Sequence, residues 1–353
     1  MCDAKNASAV EVEESAPRPA DGKAVDPIPL APVDEVRVTV LVDNVFDALL
    51  TGDTRTARFG FGSVDVRADQ FESGSTSVGL MAEHGFSALV TVRRGERETS
   101  LLFDAGLSPH AMVDNADRLG IHLKSVHGVV LSHGHFDHAG GLAGLKSRLG
   151  RSGMPMVIHP HAWARRRMAV PHGGAGEFPT LSKRALTGEG FDVIERREPS
   201  LLVDGSVLIT GEVDRTTEFE LGMPSAHQAW NGTRWEKDPL VIDDQALVVN
   251  LRGHGLVVLT GCGHAGLINI LRQARRLTEV QQVHAVIGGL HLAGPAFEPV
   301  IAPTVAALKD IAPTLIAPGH CTGWRAQHTL AAEFADAWVP NSSGTTHRLT
   351  AAA

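Results

Sequence analysis

Four side chains that bind metal ions well lie within six residues, in the segment His133-Gly134-His135-Phe136-Asp137-His138. Residues 126–131 just before it are mostly apolar and predict a short buried strand. If the chain stays extended past that strand, His133 and His135 point the same way and can share one metal ion. Asp137 and His138 would then begin the next helix and face a neighbouring position, where a second ion could bind. The spacing predicts four ligands divided between two ions.

Three further segments share one pattern, in which an apolar strand is followed by glycine and then by histidine. They end at His264, His291 and His320. A catalytic zinc needs about three protein ligands and keeps one position for water. Two ions about 3.5–4 Å apart would need roughly six ligands. The first segment and these histidines supply enough ligands for a two-metal site.

Ordinary packing is the alternative for each candidate taken alone. A lone histidine after glycine, such as His291, is often a surface residue or a satisfied core residue. For Cys262 and Cys321 a small buried apolar role is favoured over metal binding. His159 and His161 end a predicted strand near the same face and stay open as candidates. Seven other histidines lie in no such setting and are expected to be structural or exposed: His84, His110, His122, His127, His172, His254 and His328.

The elements that must position these residues follow an alternating pattern. Apolar β-branched stretches predict strands, and amphipathic stretches ending near glycine predict helices. Strands alternating with helices in both halves predict layers of helices packed on β-sheet, an α/β fold. Residues 165–190 are rich in glycine and proline and predict an irregular lid or insertion. The predicted strands are residues 36–42, 87–92, 100–104, 126–131, 156–159, 201–203, 207–210, 246–251, 256–260, 283–287 and 314–317, and the predicted helices are residues 108–119, 142–149, 268–277 and 304–311.

The first 33 residues are rich in Ala, Pro and Glu and contain few large apolar side chains. Such a segment cannot bury enough surface to offset its ordering entropy. We therefore predict a disordered tail over residues 1–33 and one folded domain over residues 34–353.

The bulk composition restricts the class of partner. The chain has a net charge of −8, and its Lys and Arg residues form no long run, which disfavours nucleic acid as a partner. The three cysteines cannot form a disulfide framework. No stretch of about 18 apolar residues predicts a membrane span, and the N-terminus lacks the pattern of a signal peptide. We expect a cytoplasmic protein that binds a small molecule and neither a membrane nor nucleic acid; the oligomeric state stays open.

The run His-Gly-His-Phe-Asp-His-Ala-Gly-Gly at residues 133–141 resembles the H-x-H-x-D-H signature of the metallo-β-lactamase superfamily. The resemblance implies an αββα sandwich with two metal ions at one edge of the two sheets. By the same resemblance, Asp104 is similar to an upstream aspartate that braces the metal loop. The hairpin of residues 246–260, which closes on Gly261-Cys262, looks like the one that carries a bridging aspartate.

A narrower resemblance spans about residues 36–347. It is to a subgroup labelled 7,8-dihydropteroate-synthase-like, which is linked to methanopterin synthesis. The motifs that carry this resemblance are Val-Leu-Val-Asp-Asn at 40–44, Thr-Gly-Glu-Val at 210–213, Thr-Glu-Phe-Glu at 217–220, Gly-Cys-Gly-His-Ala-Gly at 261–266, Gly-Gly-Leu-His-Leu at 288–292 and Pro-Gly-His-Cys-Thr-Gly-Trp at 318–324.

The chain departs from the superfamily pattern at two places. Cys262 stands where the bridging aspartate is usual, and Asp243-Asp244-Gln245 stands where a histidine is usual. The resemblance then implies His264 as the third ligand of the first ion. His320 would complete the second ion, with His291 as competitor or partner. Asp243 and Asp244 are expected to orient the metal ligands by contacting those side chains or loops and not the ions.

The function expected from these residues is hydrolysis by metal-activated water of a small ester, lactone, phosphoester or pterin-like substrate. Asp137 and His291 are the candidate catalytic residues, and Asp137 would also ligate an ion and orient the nucleophile. The expected cofactors are two divalent ions, zinc first, with manganese or iron as alternatives. The rival hypotheses are a dihydropteroate-synthase-like transferase, a non-catalytic ligand-binding sensor and a nuclease. Residues 165–190 and 212–235 are expected to shape the pocket.

Overall fold

A computed structural model describes residues 27–150, 152–170 and 173–352 of the chain. Two large β-sheets, of eight and six strands, carry helices on their outer faces. The strands in chain order are β1 Glu35–Val42, β2 Thr56–Ala57, β3 Asp65–Arg67, β4 Ser75–Ser77, β5 Ser87–Arg94, β6 Arg97–Phe103, β7 Gly128–Val130, β8 Met154–Ile158, β9 Arg166–Val170, β10 Gly174–Glu177, β11 Phe191–Glu195, β12 Ser200–Leu202, β13 Val207–Ile209, β14 His227–Trp230, β15 Trp235–Lys237, β16 Leu247–Leu251, β17 Gly255–Thr260, β18 Val283–Gly289, β19 Leu315–Gly319 and β20 Thr346–Thr350. The helices are α1 Ala111–Arg118, α2 Leu142–Leu149, α3 Lys183–Gly188, α4 Leu267–Thr278, α5 Ile301–Ile311 and α6 Trp324–Glu333.

The first sheet has the strand order β11-β8-β7-β6-β5-β1-β20-β2. Strands β6, β7, β8 and β11 pair in parallel, and the remaining pairs are antiparallel. All three residues of β7 are buried, as expected for a parallel strand covered on both faces. Strand β1 alternates between buried and half-buried residues over most of its length, which agrees with its antiparallel neighbours.

The second sheet has the strand order β12-β13-β16-β17-β18-β19. Strands β17, β18 and β19 run in parallel, so their carboxyl ends lie at the same edge of the sheet. The three predicted strand–glycine–histidine segments leave the sheet at that edge. The topology therefore brings together residues that lie far apart in the sequence.

Three apolar clusters hold the layers together. The central cluster joins the two sheets, with Val38 and Phe103 from the first and Val257 and Ile287 from the second. A second cluster packs α4, α5 and α6 on the outer face of the second sheet. A third packs α1, α2 and α3 on the first sheet. This layering confirms the αββα sandwich, and it agrees with the predicted alternation of strands and helices.

The folded region begins earlier than residue 34. Val33 is fully buried between the sheets, and Leu30 packs against the second apolar cluster. The Val33 amide donates to the carbonyl of Asn250, and the Ile28 amide donates to that of Leu277. The predicted boundary of the tail is corrected accordingly, because the few apolar side chains of residues 27–33 suffice to anchor them. The rest of the predicted tail, residues 1–26, lies outside the described residues.

The predicted irregular stretch at residues 165–190 is more ordered than expected. It contains β9, β10 and α3, and β9 pairs with β14 in a small sheet of order β10-β9-β14-β15. These short strands lack the apolar alternation that predicts a strand, because few residues of the small sheet are fully buried. Within the described residues, the helices are all too short or too polar to cross a membrane.

Candidate metal centre

The predicted ligand residues meet at one edge of the sandwich, where strands of both sheets end. His133, His135, Asp137 and His138 follow β7, and the histidines at 264, 291 and 320 follow β17, β18 and β19. Close backbone approach is required at this corner. A Cβ atom on Gly134 would collide with the backbone of Ala162, and one on Gly261 would collide with the Ser132 side chain. Glycine at these positions allows the loops to pack side by side.

A first group consists of three buried imidazoles. His133 Nε2 lies 3.0 Å from His135 Nδ1 and 3.2 Å from His264 Nε2, and the last two nitrogens are 3.1 Å apart. Nitrogens placed about 2.0–2.1 Å from a tetrahedral zinc ion lie about 3.3–3.4 Å from one another. The three nitrogens thus form a triangle of nearly the right size for three ligands of one ion.

A second group consists of Asp137, His138, Cys262 and His320, whose ligand atoms all lie within 4.8 Å of one another. Cys262 Sγ is 3.2 Å from His138 Nε2 and 3.3 Å from His320 Nε2. Asp137 Oδ2 is 3.4 Å from His320 Nε2. All four residues are buried. Nitrogen, oxygen and sulfur donors in one compact group suit a transition-metal ion.

Cys262 lies close to the ligand atoms of both groups. Its Sγ also lies within 4.8 Å of ligand nitrogens of His133 and His264. The sequence favoured a small apolar spacer at this position, but the sulfur lies among ligand atoms rather than apolar side chains. It occupies the place between the two groups that a bridging ligand would need. Burial raises the pKa of the Cys262 thiol, so a thiolate there would require a cation beside it.

Asp104 fixes the orientation of two imidazoles. Its Oδ2 lies 2.7 Å from His138 Nδ1 and accepts the hydroxyl proton of Ser132 at 2.7 Å. The Ser132 oxygen in turn lies 2.9 Å from His133 Nδ1. When the rings are neutral, this network places the proton on Nδ1 and leaves Nε2 as an acceptor. Asp104 therefore contacts the His138 ring directly and the His133 ring through Ser132.

His227 fixes the orientation of the His135 ring by a hydrogen bond. The sequence did not indicate this residue. The two Nε2 atoms are 3.2 Å apart, and His227 Nδ1 lies 2.9 Å from the carbonyl of Asp238. Since the carbonyl can only accept, His227 Nδ1 carries the proton and its Nε2 accepts one from His135. The Nδ1 atom of His135 then faces the first group unprotonated. No local pattern marks His227, since it starts the short strand β14 of the small sheet.

Asp243 and Asp244 hold the loops that carry the ligands. Asp243 accepts the amide proton of Gly134 at 2.8 Å and forms a buried ion pair with Arg166. Asp244 accepts the amide proton of Ala265 at 2.8 Å. Each side chain therefore hydrogen-bonds the backbone beside a candidate ligand. Arg166 was absent from the predicted site.

Three residues of the centre have left-handed backbone conformations: Asp104 at φ 59°, His291 at φ 46° and His320 at φ 48°. Such values are unfavourable for residues with a Cβ atom and persist where surrounding contacts enforce them. At His320 the enforcing contacts come from Asp43 and Asn44, the two residues that follow β1. The Asp43 carboxylate accepts the His320 amide proton at 3.1 Å, and Asn44 hydrogen-bonds both the ring and the carbonyl of His320.

His291 lies beside the first group rather than in it. Its ring is 4.2 Å from the ring of His264 and 4.5 Å from that of Phe297, and the residue is half-buried. Its ligand nitrogen forms a separate group with Cys262 and Cys321. The Nδ1 atom of His291 has no hydrogen-bond partner within the described portion of the chain. Of the two histidines that competed as last ligand, His320 is the one grouped with Asp137 and His138.

The remaining histidine candidates lie around the centre. His159 Nε2 is 3.3 Å from Glu212 Oε1, and His161 Nδ1 is 3.1 Å from Arg166, so neither joins a ligand group. His84 is exposed, as predicted, but its ring lies 4.9 Å from that of His320, at the rim of the centre. His110, His122, His127 and His328 are exposed, His254 is half-buried, and His172 lies outside the described residues.

The electrostatics of the two groups differ. Burial lowers the pKa values of His133, His135 and His264 well below the usual value, so these rings are neutral, which is the form that binds a metal. Burial also acts to lower the pKa of His138, but the carboxylates of Asp104 and Asp137 outweigh it and raise that pKa to about 9. The second group is thus an environment that favours positive charge.

A cavity of about 360 Å³ opens beside the first group. It is lined by His264 and His291, by residues 219–222, and by residues of the segment that follows β18. Its size is within the range of small-molecule pockets, about 300–1,000 Å³. The cavity gives a small molecule access to the side of the centre where His264 and His291 lie.

The sandwich fold and the paired groups of buried ligand-type residues define a metal-dependent protein class. Residues 83–267 match the Metallo-beta-lactamase superfamily, and the chain belongs to it. The narrower resemblance is also supported. The chain is 27% identical over 257 residues to the 7,8-dihydropterin-6-methyl-4-(beta-D-ribofuranosyl)-aminobenzene-5'-phosphate synthase of Methanocaldococcus jannaschii, an alignment that covers 72% of this chain and 85% of that one.

Two further proteins are similar to this chain. An uncharacterized protein of the same organism is 30% identical over 247 residues, covering 70% of this chain and 87% of its own. The crystal structure of Tm1679, described as a metal-dependent hydrolase of the beta-lactamase superfamily, superposes with a TM-score of 0.68 at 24% identity. That superposition covers 89% of this chain and 99% of the other, and it shows the shared fold.

Proposed function

We propose that the protein is a hydrolase that uses two divalent metal ions, zinc in the first place, to attack a small ester, lactone, phosphoester or pterin-like substrate with water. One observation carries the proposal. Two compact ligand groups lie side by side at the edge of the sheets, with Cys262 Sγ within reach of both. When bound there, the ions would supply Lewis acidity, which lowers the pKa of water and polarises a carbonyl or phosphoryl oxygen.

The residues divide into two sets of ligands. His133, His135 and His264 would hold the first ion, and Asp137, His138 and His320 would hold the second. Cys262 lies within reach of both groups and would take the place of a bridging carboxylate. The orphaned Nδ1 of His264 is consistent with a ring held by its other nitrogen, because no described residue hydrogen-bonds to it.

Asp137 and His291 are the proposed catalytic residues. Asp137 is buried, and although burial acts to raise its pKa, the neighbouring imidazoles of His138 and His320 lower that pKa further than burial raises it. It therefore stays a carboxylate that accepts a hydrogen bond from the attacking water. His291 lines the cavity, and we assign it the role of holding a proton for the leaving group. Its Nδ1 atom is buried and has no hydrogen-bond partner among the described residues.

Transfer in place of hydrolysis is the alternative, because one relative is called a synthase. A screen of esters, lactones, phosphodiesters and phosphomonoesters would separate the two. The proposal predicts metal-dependent hydrolysis of at least one class by the wild type, abolished in Asp137→Ala. His122→Ala, which alters an exposed histidine away from the centre, serves as the matched control and should keep the full rate. Product formed only with an added acceptor molecule would favour the transferase.

A further inference from the structure

Residues of three segments line the cavity beside His264. They are residues 219–222, residues 263, 264, 266 and 267, and residues 290–292, 295–297, 299 and 300. Most of the lining is apolar, including Leu292 and Phe297. A molecule in this space would have one end against His264 and the remainder between apolar walls.

Charge is nearly absent from the cavity. Neither Lys nor Arg lines it among the described residues. Its single carboxylate, Glu220, is buried, and its oxygens accept protons from the amides of Ile268 and Asn269 and from the hydroxyl of Thr217. Those contacts connect Glu220 to the first turn of α4 and leave it little capacity for a ligand. A buried charge on a ligand would lack a partner there and would be costly.

We infer that this cavity binds an uncharged hydrocarbon or aryl group of the substrate. The inference rests on the proposed function for the position of the reacting group, which would lie at His264 and His291. The apolar group would extend away from them between Leu292, Phe297 and Phe219. A phosphate between these apolar side chains would find no Lys or Arg partner among the described lining residues. Selection among small esters and lactones would therefore follow the size of their apolar group.

His291 and Phe297 connect the reacting end with the apolar end. Their rings meet edge to face at 4.5 Å with an interplanar angle of 85°. The His291 ring also packs on His264 at 4.2 Å. A ligand that fills the cavity against Phe297 would consequently contact the His291 ring. This continuity explains how an apolar group that is not involved in the chemistry can fix the position of the scissile bond.

Binding can be measured without turnover. The probe is the neutral fluorophore 6-propionyl-2-dimethylaminonaphthalene, titrated into the metal-loaded full chain. We expect saturable binding that weakens at least tenfold in Ala296→Trp, which fills the cavity from its wall. The control is Ala332→Trp, at an exposed position on α6 outside the cavity, which should bind as the wild type does. If Ala296→Trp fails to fold by circular dichroism, Pro299→Trp fills the same cavity from an exposed lining residue.

A homologous series gives the second measurement. Unbranched γ-alkyl lactones, from γ-butyrolactone upward, should displace the fluorophore about fourfold more tightly for each added methylene until the cavity is full. The dependence on chain length should disappear in Ala296→Trp. Equal affinity across the series, or equal fluorophore binding by the wild type and Ala296→Trp, would overturn the inference. Fluorophore and lactone binding without hydrolysis would count against the proposed function and leave the cavity assignment standing. Hydrolysis of the lactones without any dependence of affinity on chain length would support the proposed function and count against the cavity assignment.

Discussion

Asn44 Oδ1 lies 3.1 Å from Nδ1 of His320, and Asn44 Nδ2 lies 3.0 Å from the carbonyl oxygen of the same residue. The amide group therefore holds both the ring and the backbone of a histidine that stands 276 positions later in the sequence. Because Asn44 Oδ1 can only accept, the ring proton is on Nδ1 and Nε2 faces the second ligand group. Asn44 is a positioning residue for His320.

Replacing Asn44 with Ala should weaken the binding of one ion while the fold survives. We expect a loss of metal affinity of about 10–100-fold for the second ion, as is typical when a residue behind a ligand is removed. Asn44→Asp keeps the accepting oxygen and should restore some of that affinity. The measurement is a competition titration with a chromophoric chelator. Unchanged affinity in Asn44→Ala would show that the ring of His320 is not oriented for metal binding.

Cys262 offers a direct test of the bridging position. Cys262→Ala should lose one ion or bind it much more weakly, and Cys262→Ser should do the same, because a serine hydroxyl is a poor anionic ligand near neutral pH. Cys262→Asp should retain both ions, since it restores a bridging carboxylate. The readouts are metal stoichiometry and, with cobalt as the bound metal, the sulfur-to-metal charge-transfer absorption. Full stoichiometry and the same absorption in Cys262→Ala would support the apolar spacer.

His347 should make the protein less stable in acid. Burial lowers the pKa of His347 to about 3, and its Nε2 lies 3.2 Å from Asn341 Oδ1. As the pH falls below about 6.5, the unfolded state takes up the proton before the folded state does, so stability is lost as the pH falls from about 6.5 toward 3. This pKa shift lowers the free energy of unfolding by about 2 kcal/mol when the pH falls from 7 to 5.

The free energy of unfolding of His347→Gln should therefore fall by about 2 kcal/mol less than that of the wild type between pH 7 and pH 5. Urea unfolding at pH 7 and pH 5 measures the difference. His122→Gln, at an exposed histidine, should leave the pH dependence unchanged. The same loss in wild type and His347→Gln would mean that His347 is protonated in the folded protein.

Truncation tests where the fold begins. Removing residues 1–26 should leave stability nearly unchanged, because the sequence predicts a tail with little apolar surface. Removing residues 1–33 should also cost the burial of Leu30 and Val33, which is worth about 1.5–3 kcal/mol for each fully buried side chain. Denaturant unfolding of the two truncated chains measures the difference. Equal stability of the two would contradict the buried position of Val33.

The layers and the main ligand candidates could be predicted from the sequence. Apolar strands give a local signal, and the segment from His133 to His138 places four ligand-type residues in one corner. His227, Arg166 and the role of Asn44 could not be predicted, because their partners stand 92, 77 and 276 positions away. Such contacts depend on how β1 and the small sheet pack around the edge of the sandwich that carries the candidate metal centre. The position of Cys262 likewise depends on how the loops after several strands meet, which its neighbours in the sequence, Gly261 and Gly263, do not reveal.

The proposed centre holds two ions, one in each ligand group. Its test is the metal content per chain, measured by inductively coupled plasma mass spectrometry after loading with zinc and removal of excess metal. We expect two ions in the wild type and in His122→Ala. We expect one ion in His135→Ala, which disrupts the first group, and one in His320→Ala, which disrupts the second. One ion or none in the wild type, or two ions in both His135→Ala and His320→Ala, would contradict the two-metal centre.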